Sequence, residues 1–263
     1  MHNLPFDCHV HSSRSACAED INDAWLFERA QNSGICFAVT DHSMHMYYEP
    51  EIAWAMYRED ALELFAARRD SGRQRILDYV ATFRACPSPN LRVGLELDVL
   101  PDNQLMFEAA LRPELDLLIG ALHLLPTIPA QASEAEILAE FRLKTATLLD
   151  YGVEVLAHPF RILLATAKLA VPADLLAWVV QAAGAHGTAL EINSHFPFPE
   201  EDLQMIRLCR EHGVKLAVGT DSHRQADFGV FDYHRDLFAQ AGLTEEELDA
   251  LLYVPDCCPA SVV

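Results

Sequence analysis

The sequence predicts an α/β protein folded as a single-domain, TIM-barrel-like (βα)7 barrel of seven parallel strands spanning residues 1–263. Three observations carry that expectation. Seven short apolar runs alternate with segments of helical periodicity. Such alternation makes the strands parallel, because a right-handed helical crossover returns each strand in the same direction. Nearly every strand run also ends on an acid or an imidazole. An open doubly wound sheet collects its site at a switch point, where few strand ends contribute. Polar ligand types at almost all the ends require those ends to converge on one axis, as a barrel makes them do.

The strand runs are 4–8, 35–40, 91–97, 115–121, 153–157, 188–192 and 214–218. Between them the 3.6-residue pattern predicts helices over 19–32, 51–83, 103–111, 133–150, 172–185 and 200–211, with a last one over 244–252. Gly34, Gly152, Gly187 and Gly213 each stand between a helix and a strand, where a left-handed C-terminal cap is wanted. Pro172 and Pro199 precede helices, matching the first-turn preference for proline. The long 51–83 segment is expected to run over the barrel mouth or flank. No linker, repeat or low-complexity stretch divides the chain.

The strand ends carry the chemistry. They read Asp7-Cys8-His9-Val10-His11, Thr40-Asp41-His42, Glu96-Leu97-Asp98, Ala157-His158-Pro159 and Gly219-Thr220-Asp221-Ser222-His223, and His123 follows another strand alone. Imidazole and carboxylate are the donors that borderline divalent ions such as Zn²⁺, Mn²⁺ and Fe²⁺ prefer. His9 and His11 alternate along a strand end and so point to one side, as two ligands of one ion would. Asp7 is expected to orient an imidazole from behind. Glu96 closes an apolar strand, where an isolated carboxylate faces a steep desolvation cost that a cation removes. Its two oxygens suit it to bridging, and Asp98 shares its face. His195 follows the sixth strand and joins Asn193 as a candidate for the substrate side. Arg161 and Arg224 are candidate phosphate clamps, since a guanidinium holds a phosphate through paired hydrogen bonds. The remaining histidines, His45 and His234 among them, are expected to be solvated or structural.

The bulk numbers exclude some partners. A formal net charge of −20 disfavours long nucleic acids, whose phosphates need clustered Lys and Arg. It leaves room for a small phosphorylated substrate, because bound cations reverse the field inside a site. Seven scattered cysteines, with no Cys-x-x-Cys pair and with Cys257-Cys258 adjacent, read as reduced thiols. There is no signal-peptide pattern and no apolar stretch of membrane-spanning length, so a cytoplasmic location and no membrane partner are expected. Oligomeric state is not legible.

These motifs resemble those of the polymerase and histidinol phosphatase (PHP) family of metal-dependent phosphoesterases, in order and over essentially the whole chain. Gly-Leu-Glu96-Leu-Asp98, Ile-Gly-Ala-Leu-His123 and Thr-Asp221-Ser-His223-Arg224 look most like its stand-alone histidinol-phosphatase branch. The resemblance implies a distorted seven-stranded barrel and a two- or three-metal centre of Zn, Mn or Fe. By that likeness His9, His11, Glu96 and Asp221 hold one ion and Glu96, His123 and His158 a second, with His42 and His223 at a third. That branch carries a further histidine after its first motif, and here Cys17 stands in its place. A thiolate can replace imidazole at zinc, or the change can leave the third ion weak or absent.

The expected activity is hydrolysis of a small phosphomonoester by a metal-activated hydroxide, with Arg161 on the phosphoryl oxygens and His223 or Asp98 protonating the leaving group. One rival is a phosphodiesterase or nucleotidase acting on nucleotides or nucleic-acid ends. A non-catalytic metal-binding module is the other, and the near-complete ligand set argues against it.

Overall fold

Apolar runs with no polar face become strands buried on both sides, as parallel strands require. In the computed structural model, which describes residues 4, 6–52 and 60–256, seven of them lie side by side in sequence order. They are β1 (Phe6–Val10), β2 (Cys36–His42), β3 (Leu91–Leu97), β4 (Leu117–Gly120), β5 (Val155–Leu156), β6 (Ala189–Asn193) and β7 (Leu216–Gly219). Every neighbouring pair is parallel, and every strand residue is buried.

The sheet closes where β7 returns to β1. Val10 bridges Ser222 in parallel, and the His11 N–H donates to the Ser222 carbonyl at 3.1 Å. The Asp7 carboxylate completes the seam by accepting from the Thr220 N–H at 3.0 Å and the Thr220 hydroxyl at 2.7 Å. Asp7 therefore ties the first strand to the last, and it meets His9 at the backbone N–H, at 3.2 Å, where the expectation had it behind an imidazole ring. Burial pushes its carboxyl up to about 6 even against those hydrogen bonds.

The helices pack outside. They are α1 (Asp23–Asn32), α2 (Ser43–Tyr47), α3 (Ala61–Arg84), α4 (Glu134–Tyr151), α5 (Ala173–His186), α6 (Pro199–His212), α7 (Asp232–Gln240) and α8 (Glu245–Leu251). Helix α4 opens on a capping box, Ser133 with Glu136, and ends on left-handed Gly152. Helix α3 lies on the flank, its Tyr79 hydroxyl set between the Val39 and Gly94 carbonyls at 2.8 and 2.9 Å. Among the described residues no helix is long and apolar enough to cross a membrane.

Three expectations change. Residues 103–111 do not form a helix: Asn103 is left-handed, and a 3-10 stretch follows at Ala109–Glu114 with Pro113 inside it. The loop is stapled instead by buried Lys144, whose ammonium donates to the Leu100 carbonyl at 2.7 Å. The 51–83 segment begins as a 3-10 turn at Pro50–Ile52, and its helix proper starts at Ala61; residues 53–59, like Cys257 and Cys258, lie outside the described residues. Helices α2 and α7 and a π-helical turn at Ile162–Ala167 were not anticipated. The five residues of α2 are too few to show a period.

Candidate metal centre

The site follows from strand phase. Inside the barrel, Cys36 and Ala38, Leu117, Ile119 and Ala121, Ala189 and Ala217 share one small-residue cluster. A strand side chain returns to the same face every second residue. Counting on from those inward residues arrives at His42, His123, Glu191 and Asn193, and Asp221. The inner face is thus apolar low in the barrel and becomes polar at the strands' C-terminal ends. In β1 a register irregularity between Asp7 and Val10 breaks the alternation, and both Cys8 Sγ and His9 Nδ1 meet Glu191, at 4.0 and 2.9 Å.

Glu96 stands at the middle. Its Oε2 is 2.5 Å from His42 Nδ1, 3.5 Å from His9 Nε2 and 3.9 Å from His11 Nε2. Its Oε1 is 3.1 Å from His158 Nε2 and 3.6 Å from His123 Nε2. The two oxygens of one fully buried carboxylate thereby divide five imidazoles into two sets. Asp221 adds a second carboxylate, 3.0 Å from His11 Nε2 and 3.5 Å from His9 Nε2. Donor atoms within 4.8 Å of one another include the groups His9/His11/Glu96, His9/His158/Asp221, His42/Glu96/His123 and His11/His42/His223.

The imidazoles are held from behind. His9 Nδ1–H donates to Glu191 Oε1 at 2.9 Å, and His123 Nδ1–H to Asp98 Oδ1 at 2.7 Å. His11 Nδ1–H donates at 3.1 Å to the Ser15 hydroxyl, which itself donates to Asp41 at 2.6 Å. His223 Nδ1–H donates to the Asp221 carbonyl at 2.7 Å. These partners engage Nδ1 and leave Nε2 of each ring facing the interior, the atom that would bind an ion once its proton is displaced. His9 Nε2 is buried, faces two carboxylate oxygens and makes no hydrogen bond. His158 and Asp221, both at the centre, have left-handed backbones, an unfavourable conformation for residues with side chains. The donor set, its burial and its anchoring all fit divalent transition ions.

The electrostatics agree. Burial disfavours the Glu96 anion, but His42, His9 and His123 outweigh it and hold the carboxyl well below its ordinary range. Asp221 is likewise held well below by His9 and His11 against burial. Burial opposes the His11 cation too, yet hydrogen bonds to Asp221 and Asp41 lift it to about 9. His123 and His223 fall to about 3, chiefly through burial. Burial, then the Glu96 charge, pushes Asp98 up to about 8.

The other residues singled out from sequence are placed as follows. Asp98 lies behind His123, and its Oδ1 is engaged there. The Arg161 guanidinium stacks on Phe196 at 4.0 Å and lines a small cleft with His158 and Asn193. His195 stacks on His223 at 4.7 Å. Arg224, exposed, pairs with Asp227 at 3.2 Å. With Ser194, His195, Thr220 and Tyr233 these two line a cavity of about 250 Å³. Asn193, expected on the substrate side, is buried and occupied: its amide donates to Glu191 and Asp221, and its carbonyl accepts from the His195 and Phe196 N–H groups. Cys17 and His45 lie against His42, and His45 is buried, not solvated.

Sequence reasoning quoted Asp41 within its motif without giving it a role, and passed over Glu191. Glu191 accepts from His9, from the His158 N–H at 2.6 Å and from Asn193 at 3.1 Å. Asp41 accepts from the Ser12 N–H at 2.8 Å and from the Ser12 and Ser15 hydroxyls at 2.6 Å each. The signal for Glu191 was present: a carboxylate in the strand Ala-Leu-Glu-Ile-Asn carries the same desolvation problem as Glu96.

With this geometry in view, the family model described as the PHP domain matches residues 7–195. The chain belongs to the PHP domain family. It is 26% identical over 219 residues to the Bacillus subtilis DNA polymerase/3'-5' exonuclease PolX, a stretch that is 82% of this chain and 34% of that polymerase. The chain therefore spans about a third of that relative. A probable phosphatase of Yersinia enterocolitica is 24% identical over 251 residues, covering 93% of this chain and 89% of the relative. In fold, this PHP domain is similar to the Lactococcus lactis histidinol phosphate phosphatase, crystallised with zinc, L-histidinol and phosphate. The TM-score is 0.52 and the identity 18%, over 91% of this chain and 94% of that one.

Proposed function

We propose that this PHP domain is a metal-dependent phosphatase that hydrolyses a small phosphomonoester. The observation that carries the reading is Glu96, a buried carboxylate whose two oxygens face different sets of imidazoles. That is the disposition of a group shared by two cations. His9, His11, Glu96 and Asp221 would hold one ion, Glu96, His123 and His158 a second, and His42 with His223 a third. Imidazole and carboxylate suit Zn, Mn or Fe. Ions there would supply Lewis acidity to phosphoryl oxygens and bring the ionisation of water near neutrality.

The chain's own groups do the rest. Glu191, Asp98 and the Ser15–Asp41 pair keep His9, His123 and His11 in their ligating tautomers. Asp98 thus acts through His123, as a positioning residue. Arg161, braced on Phe196, is placed to pair with phosphoryl oxygens at the mouth. His195 and Arg224 border a cavity of about 250 Å³, just below the range of about 300–1,000 Å³ common for ligand pockets. It suits the alcohol portion of a small ester better than a polymer.

The test is phosphate release from histidinol phosphate and nucleoside monophosphates by protein loaded with Zn²⁺, Mn²⁺ or Fe²⁺. Turnover of none of them by protein carrying at least two ions per chain overturns the reading. Similarity to an exonuclease-bearing polymerase favours a second reading, phosphodiester cleavage. A net charge of −20 opposes it for long nucleic acids. Comparing p-nitrophenyl phosphate with its bis-ester separates the two.

A further inference from the structure

Cys17 and His45 stand outside the ligand set just proposed, yet the fold brings both against His42. One donor atom from each of Cys17, His42 and His45 lies within 4.8 Å of the other two. Donors around a tetrahedral zinc sit roughly 3.3–3.8 Å apart, given bonds of about 2.0–2.3 Å. A small side-chain rotation closes that difference.

The segment carrying Cys17 is fixed over the centre. The Ser12 N–H and hydroxyl and the Ser15 hydroxyl all donate to Asp41. On either side of Cys17, the Ala16 N–H donates to His45 Nδ1 at 3.1 Å and the Glu19 N–H to the His223 carbonyl at 2.8 Å. The thiol is therefore presented by backbone tied to two of the histidine-bearing loops. Because the Ala16 N–H points at His45 Nδ1, the proton of neutral His45 sits on Nε2. With Nδ1 engaged and the proton on Nε2, His45 is not a third ligand.

We propose that Cys17 supplies a thiolate to the ion at His42, giving the centre one position of mixed sulfur and nitrogen ligation, while His45 Nδ1 holds the backbone next to Cys17 through the Ala16 N–H. This rests on the metal-centre reading above. Binding replaces the S–H bond by a sulfur–metal bond and releases one proton to solvent, with no change of oxidation state. A thiolate biases this position toward zinc and other thiophilic ions and away from Mg²⁺ and Ca²⁺.

The experiment is Co²⁺ loading of the full chain, read by absorption, metal content and alkylation of Cys17. Wild type and C86S, whose thiol lies on the far flank beside Pro87 and Arg84, should show a near-ultraviolet sulfur-to-cobalt charge-transfer band. C17S should lose the band and bind one ion fewer per chain. Iodoacetamide should alkylate Cys17, followed by peptide mass, about tenfold more slowly in the loaded protein, because a metal-held thiolate is a poor nucleophile. If C17S fails to fold, Cys17→His replaces it and should keep the metal content while losing the band. Cobalt d–d bands without the charge-transfer band, and with unprotected Cys17, overturn the thiolate but leave the centre standing. No cobalt uptake overturns both.

Discussion

A methyl group added at position 219 is the smallest change that reaches the centre without altering a donor. The Cβ of Gly219→Ala would fall 1.7 Å from Glu191 Oε1 and 3.0 Å from the His9 Cβ. The backbone has no room to retreat: Gly219 pairs with Asn193, and its carbonyl accepts from the Ser194 N–H at 3.1 Å and from His234 Nε2 at 3.2 Å. The Glu191 carboxylate must swing instead, leaving the His9 ring and the His158 N–H. Hydrogen bonds to a charged acceptor are worth about 1.5–3 kcal/mol each. Losing both should cost about 3 kcal/mol or more, lowering Tm by roughly 6–12 °C at about 2–4 °C per kcal/mol. Losing the partner that orients a ligating histidine should also weaken metal binding by about 10–100-fold, or about 1.4–2.7 kcal/mol. Thermal unfolding of the metal-free protein and zinc competition against a chromophoric chelator measure the two effects. E191Q, which removes the charge without the clash, should weaken binding in the same direction. A G219A protein with a Tm within about 2 °C of wild type and unaltered zinc affinity would refute the assignment of Glu191 as the anchor of His9.

Three further outcomes are expected. In the metal-free protein His11 keeps its proton up to about 9, and His9, against burial, is raised well above its ordinary value by Asp221, Glu191 and Glu96. Ions require the neutral rings, so loading at neutral pH should expel protons, and apparent affinity should rise with pH through about 9. Calorimetry in buffers of different ionisation enthalpy counts those protons, and a count of zero contradicts the assignment. Asp98→Ala frees the His123 ring and should lower affinity for one ion by about 10–100-fold while sparing the others, read as metal content after dialysis. R161K keeps the charge but loses the paired donors and much of the stacking on Phe196. It should raise KM for a phosphomonoester about tenfold, or about 1.4 kcal/mol, and an unchanged KM would remove Arg161 from the phosphoryl site.

What the sequence determined by itself is what short-range pattern encodes. The seven strands, most of the helices between them and the left-handed glycine caps could be read because strand runs, helical periods and cap residues are local. The gathering of His9, Glu96, His123 and Asp221 could be expected because a parallel strand order sends every C-terminal end to one rim. Tertiary structure alone decided which neighbour each polar atom meets. Glu191 reaches His9 across 182 positions of chain, Asp7 reaches Thr220 across 213, and Asn193 turns its amide inward to two carboxylates. His45 takes its place beside Cys17 through a five-residue helix with no periodic signature. The physical reason is that a hydrogen bond depends on separations of a few ångströms in space. Hydrophobic period places a residue on a face, and only the closed barrel places one face against another.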